Sequence, residues 1–390
     1  MTVRVNKSSF NIREKLSELE RPIGLKGSEL MRSETAQEAR DLVSAGRKNI
    51  FINGAMQVAQ RGTSSSSFGA TNGEFGASDR WQHFKIGTTN ALWTVSQDTD
   101  APDGYRYSLK YDCTTADASP DASARHQFQQ KIEAYNTNHL GFGTSSAKDL
   151  VMSFWVKATL PGVNYGWIYD NPNDVFFPFR YYINSSNTWE KKVITIPGNT
   201  ANTLSGTNGT SLICAFALYM GSNYTANAYD NPGVWQAWNS TNYGKFKDST
   251  NHASSTNNNF WITGIQLEVG KNATEFEHRS YGEELALCER YCQGFPGGRI
   301  AVGNWAAGTV AYCSTALRTT MRTTPTLYSY TAGLVLVENV NWYSVTTVAL
   351  TESTNTHVTF YITGISNSGQ SANANAVWGN GASAVIQAEL

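Results

Sequence analysis

The sequence predicts a mostly β protein: short N-terminal helices, a central antiparallel jelly-roll sandwich, a connector helix and a smaller C-terminal β domain. Three observations lead there. Charged residues make up 16% of the 390-residue chain and aromatic residues 12%, against the roughly 25% charged content of ordinary soluble domains. Short runs alternate apolar and polar residues between clusters of Gly, Asn, Asp and Pro, the period of strands with one face buried. Helical periodicity is confined to the first fifty residues and to one stretch near residue 285.

In the opening segment Ile12, Leu16 and Leu19 recur at i, i+4, i+7, and Pro22 ends the run because its ring and missing N–H oppose a helix. Thr35 and Glu38 have capping-box spacing before a second helix that stops at Gly46. Helices this short need a partner surface. Residues 1–48 are therefore expected either to dock on another chain, with Ile12, Leu16 and Leu19 as the assembly face, or to pack as an arm on their own domain.

Residues 49–279 carry the strand signals. The expected strands are Ile50–Asn53, Arg80–Ile86, Leu92–Ser96, Tyr107–Tyr111, His126–Glu133, Leu150–Ala158, Phe176–Ile183, Trp189–Ile196, Leu212–Met220 and Phe260–Val269. Leu150, Met152, Phe154 and Val156 share one face of theirs. Leu212, Cys214, Phe216, Leu218 and Met220 share one face of another. In the last, Trp261, Thr263, Ile265, Leu267 and Val269 are expected on one side. About ten short strands without intervening amphipathic helices point to an antiparallel sandwich of jelly-roll type.

The period then changes. Ser280 and Glu283 form a second capping-box signature, and Leu285, Cys288 and Cys292 recur at i, i+3, i+7, which predicts a helix over Glu283–Tyr291, stopped by Gly294. Residues 280–295 read as a connector. Strand signals resume in 296–390, at Thr309–Thr315, Thr326–Tyr330, Gly333–Val337, Ser344–Leu350, His357–Ile362 and Ala384–Ala388. So small a β unit has sheet edges to hide, and association into a homotrimer or other homo-oligomer hides them.

Composition narrows the function. With 30 basic and 31 acidic residues the net charge is −1, so no long-range field gathers nucleic acid or an anionic membrane surface. No apolar run is long enough to insert in a membrane, and the first residues lack the apolar core of a signal peptide, so synthesis in a cytoplasm without signal-directed export is expected. Five scattered cysteines make no disulfide framework and are expected as free, buried thiols. G-x-S-x-G, P-loop and dinucleotide fingerprints are absent. No histidine or carboxylate pair is singled out for catalysis, and no cofactor is implied.

Two constellations remain. Between Gly221 and Asn259, Tyr224, Tyr229, Trp235, Trp238 and Tyr243 lie among many Asn, Ser and Thr residues. Aromatic faces stack on sugar rings while amides and hydroxyls bond sugar hydroxyls, so the mixture suits carbohydrate; capping of the sandwich core is the competing role. Asp98, Asp100 and Asp103 form a weak Ca²⁺ signature without the Glu that closes an EF-hand loop, and a plain acidic turn explains them better.

The segments NIFINGAMQVAQRGTS, SDRW at Ser78–Trp81, LVMSFWVKA, TWEKKVITIPG and GIQLEVGKNATEFEHRSYGEELALCERYCQ together resemble a family of phage virion structural proteins. These are tail-fibre or receptor-binding-like proteins of marine and cyanobacterial phages, with a central part like a carbohydrate-binding module. The opening SSFNIREKLSELERPIGLKGSELMRSETAQEARDLVSAGRKN and MRTTPT at Met321–Thr326 are similar to elements of such proteins. The resemblance implies a non-enzymatic virion component. It would be anchored to phage tail or capsid proteins through residues 1–48, be trimeric, and present its β domains to host surface polysaccharide. A virion appendage without a ligand (a capsid decoration or tail accessory protein) and a polysaccharide depolymerase are the alternatives.

Overall fold

The computed structural model describes residues 47–390 except 205, 230–232, 244, 308, 331–333, 339–340, 366–374 and 380–382. Ile12, Leu16, Leu19 and the two expected N-terminal helices lie outside the described residues. The chain divides into two units, Met1–Lys48 and Asn49–Leu390, and every described strand belongs to the second.

Thirteen strands build the sandwich: β1 (Ser64–Phe68), β2 (Glu74–Phe75), β3 (Gln82–Ile86), β4 (Leu92–Asp98), β5 (Ser108–Thr115), β6 (Arg125–Glu133), β7 (Leu150–Ala158), β8 (Gly162–Asp170), β9 (Val175–Ile183), β10 (Glu190–Ile196), β11 (Thr210–Met220), β12 (Gln236–Ala237) and β13 (Asn259–Val269). They form two antiparallel sheets. One runs β1-β4-β5-β13-β7-β10 and the other β12-β9-β8-β11-β6-β3-β2. The protein is thus mostly β, with a central antiparallel sandwich as the alternation predicts.

The inner faces of the two sheets meet in one core. Leu150, Met152, Phe154 and Val156 of β7 face Phe128 and Ile132 of β6, Phe177 and Phe179 of β9, and Leu212, Cys214 and Phe216 of β11. The Phe128 and Phe216 rings stack at 5.1 Å, and Phe154 meets Phe216 edge-on at 5.1 Å. Each such ring contributes about 2 kcal/mol through burial alone.

Two bulges shift faces that strict alternation assigns wrongly. In β13 the register slips between Thr263 and Gln266. Gly264 sits there at φ 62° with the Tyr105 ring where a Cβ would stand, 2.7 Å away. Phe260 and Ile262 therefore point inward before the slip, and Ile265 and Leu267 after it; Trp261 and Thr263 lie on the other face. In β11 a slip between Ala217 and Tyr219 sends Leu218 and Tyr219 into the core and turns Met220 outward. Ile50–Asn53 is likewise a bend and not a strand. Ile52 pairs with the Gln130 amide through both its N–H and its C=O, at 2.9 and 2.8 Å.

Helix α1 (Tyr281–Glu289) begins with the expected capping box between Ser280 and Glu283. It ends earlier than Gly294, because Cys292 already belongs to β14 (Cys292–Phe295). The remaining strands are β15 (Gly298–Ala307), β16 (Val310–Ala316), β17 (Thr326–Tyr330), β18 (Leu334–Glu338), β19 (Asn341–Ser344), β20 (Thr347–Thr351), β21 (His357–Thr363), β22 (Asn375–Gly379) and β23 (Ala384–Gln387). They make a three-stranded sheet, β14-β23-β17, and a seven-stranded one, β19-β18-β22-β15-β16-β21-β20. Phe295, Phe360, Leu336 and Ile386 share their core. The expected strand Ser344–Leu350 is in fact two, with the chain turning between β19 and β20.

Polar contacts tie this part to the sandwich. Tyr291 donates its hydroxyl to Glu133 at 2.7 Å, Arg290 bonds the same carboxylate at 2.8 Å, and Arg80 pairs with Glu389. All five cysteines are buried thiols.

Candidate functional site

Strand β6 separates two tasks by parity. His126, Phe128, Gln130 and Ile132 point into the sandwich, so Arg125, Gln127, Gln129 and Lys131 point out of it. These four, with Ile213 of β11, lie between Phe84 and Ile86 of β3 on one side and Trp167 and Tyr169 of β8 on the other, in the strand order of the seven-stranded sheet. Together with Trp238, Asn171 and Thr210 they enclose a cavity of about 300 Å³.

Gly166 lets β8 lie this close to its neighbours. A Cβ there would stand 2.4 Å from the Ala215 carbonyl oxygen and 2.3 Å from the Phe179 ring. Trp167 and Tyr169, on the opposite face of β8 from Gly166, lie on the outer side of the sheet as one aromatic row.

The 221–259 segment folds over this face, and its aromatics separate into different roles. Trp238 lines the cavity and packs on Trp167 at 5.5 Å, Tyr169 at 5.7 Å and Phe176 at 4.7 Å. Tyr243 backs Trp238 at 5.3 Å, and buried Tyr224 backs Tyr243 at 5.3 Å. Tyr229 sits on Tyr165 at 5.4 Å beside Arg180, away from the cavity lining. Trp235 turns the other way. It packs on Phe142 and Phe177 at the edge of the main core and donates its indole N–H to the Pro197 carbonyl at 2.8 Å. Of the five aromatics expected at a ligand, the structure puts Trp238 in the cavity, places Tyr224 and Tyr243 behind it, sets Tyr229 aside on Tyr165 and gives Trp235 to the core.

Arg125 is the centre of the arrangement. It is 5% exposed, and its guanidinium carbon lies 5.0 Å from the Trp167 ring, 5.0 Å from Tyr224 and 5.1 Å from Trp238. Cation–π attraction of about 0.5–2 kcal/mol per ring offsets part of the cost of burial. Burial pushes its pKa down to about 10, against the weaker pull of Tyr224 and Tyr243, and leaves it cationic at neutral pH. Its Nε has no hydrogen-bond partner among the described residues.

Beside it runs a chain of amides. Gln127 donates to Gln129 at 2.6 Å, Gln129 to Gln82 at 2.9 Å, and Gln82 to the Gly73 carbonyl at 3.2 Å. The Oε1 of Gln127 is buried and unpartnered among the described residues. Buried polar atoms are ordinarily satisfied. The residues lining the cavity thus include one with a spare donor and one with a spare acceptor beside an aromatic wall, and no Asp or Glu is among its described lining residues.

Two of the three aspartates of the weak Ca²⁺ signature are otherwise engaged. Asp98 accepts from the Trp261 indole at 3.0 Å, while Asp100 accepts from the Trp189 indole at 3.1 Å and pairs with the Lys157 ammonium. A cation already neutralises Asp100, and Asp103 stays in solvent. Among the described residues no group of three or more His, Cys, Asp or Glu is placed to hold a metal. His83, His126 and His252 are buried in the sandwich, where burial holds all three pKa values below the ordinary one.

Sequence reading placed the ligand aromatics in the loop and missed Arg125, Gln127, Trp167 and Tyr169 on the strands. The signal was present in R-x-Q-x-Q-x-K, a polar outer row whose alternate positions are core residues. Strand β8 went unrecognised because Gly162, Asn164 and Gly166 read as loop punctuation.

No family model matches the chain, and no curated protein matches it. Among solved structures it is similar to the enzymatically active domain of bacteriophage CBA120 tailspike protein 4, at 11% identity and TM-score 0.27 over 49% of this chain and 19% of that one. It is also similar to a CBM4 structure (14%, TM-score 0.28, 56% and 98%) and to TmCBM61 in complex with β-1,4-galactotriose (8%, TM-score 0.27, 57% and 100%). The chain spans about a fifth of the tailspike domain. These scores fall short of a shared fold, so the site rests on its own residues.

Proposed function

We propose that the protein is a non-enzymatic phage virion component, a tail-fibre or receptor-binding protein that attaches to host surface glycan through the outer face of its seven-stranded sandwich sheet. The observation that supports it most is the cavity itself, where Trp167 and Trp238 stand beside Gln127, whose buried acceptor has no partner among the described residues. An aromatic platform beside amides suits the alternating apolar and hydroxyl surfaces of a sugar. Glycoside hydrolysis uses a pair of carboxyl groups flanking the bond, and the described lining holds none, which favours binding over cleavage.

The virion role is supported by the sequence resemblance. On that reading residues 1–48 attach the chain to tail or capsid proteins, and copies associate, as a trimer, through their β domains. Replacing Leu16 and Leu19 with Asp then blocks incorporation into particles without lowering the melting temperature; normal incorporation would remove the anchoring role.

Affinity electrophoresis of the full chain through gels containing bacterial envelope polysaccharides tests the glycan reading. Retardation by at least one polysaccharide, relieved by Trp238→Ala, is expected. Unchanged mobility across neutral, uronate-bearing and sulfated polymers would overturn it, and release of reducing ends would replace it with a depolymerase.

A further inference from the structure

We infer that the glycan taken by this cavity carries an anionic substituent, and that Arg125 is the group that recognises it. The inference rests on the glycan reading above and goes beyond it to the class of sugar.

Burying a cation is costly. An arginine removed from water is normally compensated by a carboxylate, and an unpaired buried charge is among the most unfavourable features a fold contains. Arg125 is 5% exposed, yet among the described residues no carboxylate pairs with it. Three aromatic rings surround it instead, at 5.0–5.1 Å. Rings attract the cation through their faces and hold the guanidinium plane, but they accept none of its N–H groups in the way an oxygen does. Its Nε is correspondingly left without a partner.

Position points the same way. Arg125 lines the cavity, and so does Gln127 two residues on, whose Oε1 has no partner among the described residues. A sugar bearing a carboxylate satisfies both at once: the anion meets the guanidinium, whose planar fork matches two oxygens, and a ring hydroxyl donates to Gln127 Oε1. Trp167 and Trp238 line the same cavity and supply its apolar wall. The second cation of the lining, Lys131, is already engaged, donating from Nζ to the Leu390 main-chain oxygen at 2.8 Å, close to Glu389. Arg125 is thus the uncompensated charge. A neutral glycan would leave it as costly in the complex as it is in the free protein.

The test compares one polymer in two charge states. Full-length protein is run through gels containing polygalacturonate, the same polymer with its carboxyl groups reduced to alcohols, and carrageenan as a sulfated galactan without carboxylates. Tight retardation by polygalacturonate, weakened about tenfold or more on carboxyl reduction, is expected. Carrageenan bound in place of polygalacturonate supports the inference with sulfate as the anion. Equal retardation by native and reduced polymers overturns it while leaving a neutral-glycan site standing. No retardation by any of the three, or by envelope polysaccharides, overturns the glycan reading itself. Arg125→Gln should lose the preference for the charged polymer and Arg125→Lys should keep part of it. If Arg125→Gln does not fold, the comparison of native and reduced polymer on the unaltered protein still decides.

Discussion

The guanidinium of Arg80 lies over the Tyr291 ring, 3.5 Å from its centre, while the Tyr291 hydroxyl donates to Glu133. Arg80 belongs to the SDRW segment before β3, Glu133 ends β6, and Tyr291 follows α1. One aromatic ring thus joins a sandwich cation and a sandwich anion to the chain leading into the distal sheets. Glu389 completes the knot by pairing with Arg80 and, at 3.1 Å, with Arg61.

Glu389→Gln should therefore destabilise the protein sharply. Arg61 and Arg80 are nearly inaccessible, and removing one partner of a buried ion pair leaves the other charge uncompensated, at about 3 kcal/mol or more. Chemical denaturation measures it. Arg61 also faces Asp79 at 3.7 Å, and a loss within about 0.5 kcal/mol, as at an ordinary surface site, would show that the buried arginines do not depend on Glu389.

Acidification should weaken the fold through its buried histidines. Burial holds the His252 pKa down at about 4, below the ordinary 6.5, so folding favours the neutral ring. The stability this contributes is complete above pH 6.5 and is lost as pH falls from 6.5 towards 4, by up to about 3 kcal/mol. His252→Gln, keeping a donor for Asn164, should cost stability at pH 7.5 yet show a smaller drop than the parent between pH 7.5 and 4.5. Parallel melting curves for the two proteins would rule the account out.

The two tryptophans of the covering segment should separate by assay. Trp238→Ala is expected to weaken glycan retardation roughly tenfold or more, since aromatic anchors dominate binding. Trp235→Ala removes packing from Phe142 and Phe177 and should cost about 3 kcal/mol of stability with little change in binding by the folded fraction. Denaturation and affinity electrophoresis of both variants check this, and the reverse assignment would move the site to the loop edge.

Gly166→Ala should lower stability by about 2 kcal/mol, because overpacking forces strand or ring to move. The Ala215 carbonyl is backbone in a central strand and yields poorly, so Trp167 should shift as well. Tryptophan fluorescence in the folded state reports that shift, and a neutral substitution would show the sheet to be softer than its spacing implies.

The fold was legible wherever burial fell on one face. Leu150, Met152, Phe154 and Val156 occupy the side their alternation predicts, and Ser280 with Glu283 caps the helix they announce. Alternation failed at Gly264 and Ala217, where a bulge inserts one residue and reverses the faces beyond it; a period carries no memory of an insertion. The site was less legible. Tyr224 and Trp235 look like surface aromatics in a polar segment, but whether an aromatic faces ligand or core depends on which sheet it lands against. Arg125 looked unexceptional because its burial comes from Trp167 and Trp238, 42 and 113 positions away in the chain.

Strand β6 has a consequence for how recognition changes over generations. Its inward residues fix the sandwich, its outward residues furnish the floor of the cavity, and the two sets never share a position. Arg125, Gln127, Gln129 and Lys131 can change without touching Phe128 and Ile132, which hold the sheets together, with Gln127, Gln129 and Gln82 changing as a hydrogen-bonded set. On the proposed glycan reading, loops need not be inserted or remodelled for the preferred sugar to change. As the host-glycan binder proposed, a lineage facing altered surface chemistry has, in this one strand, a short variable row on an unchanging support.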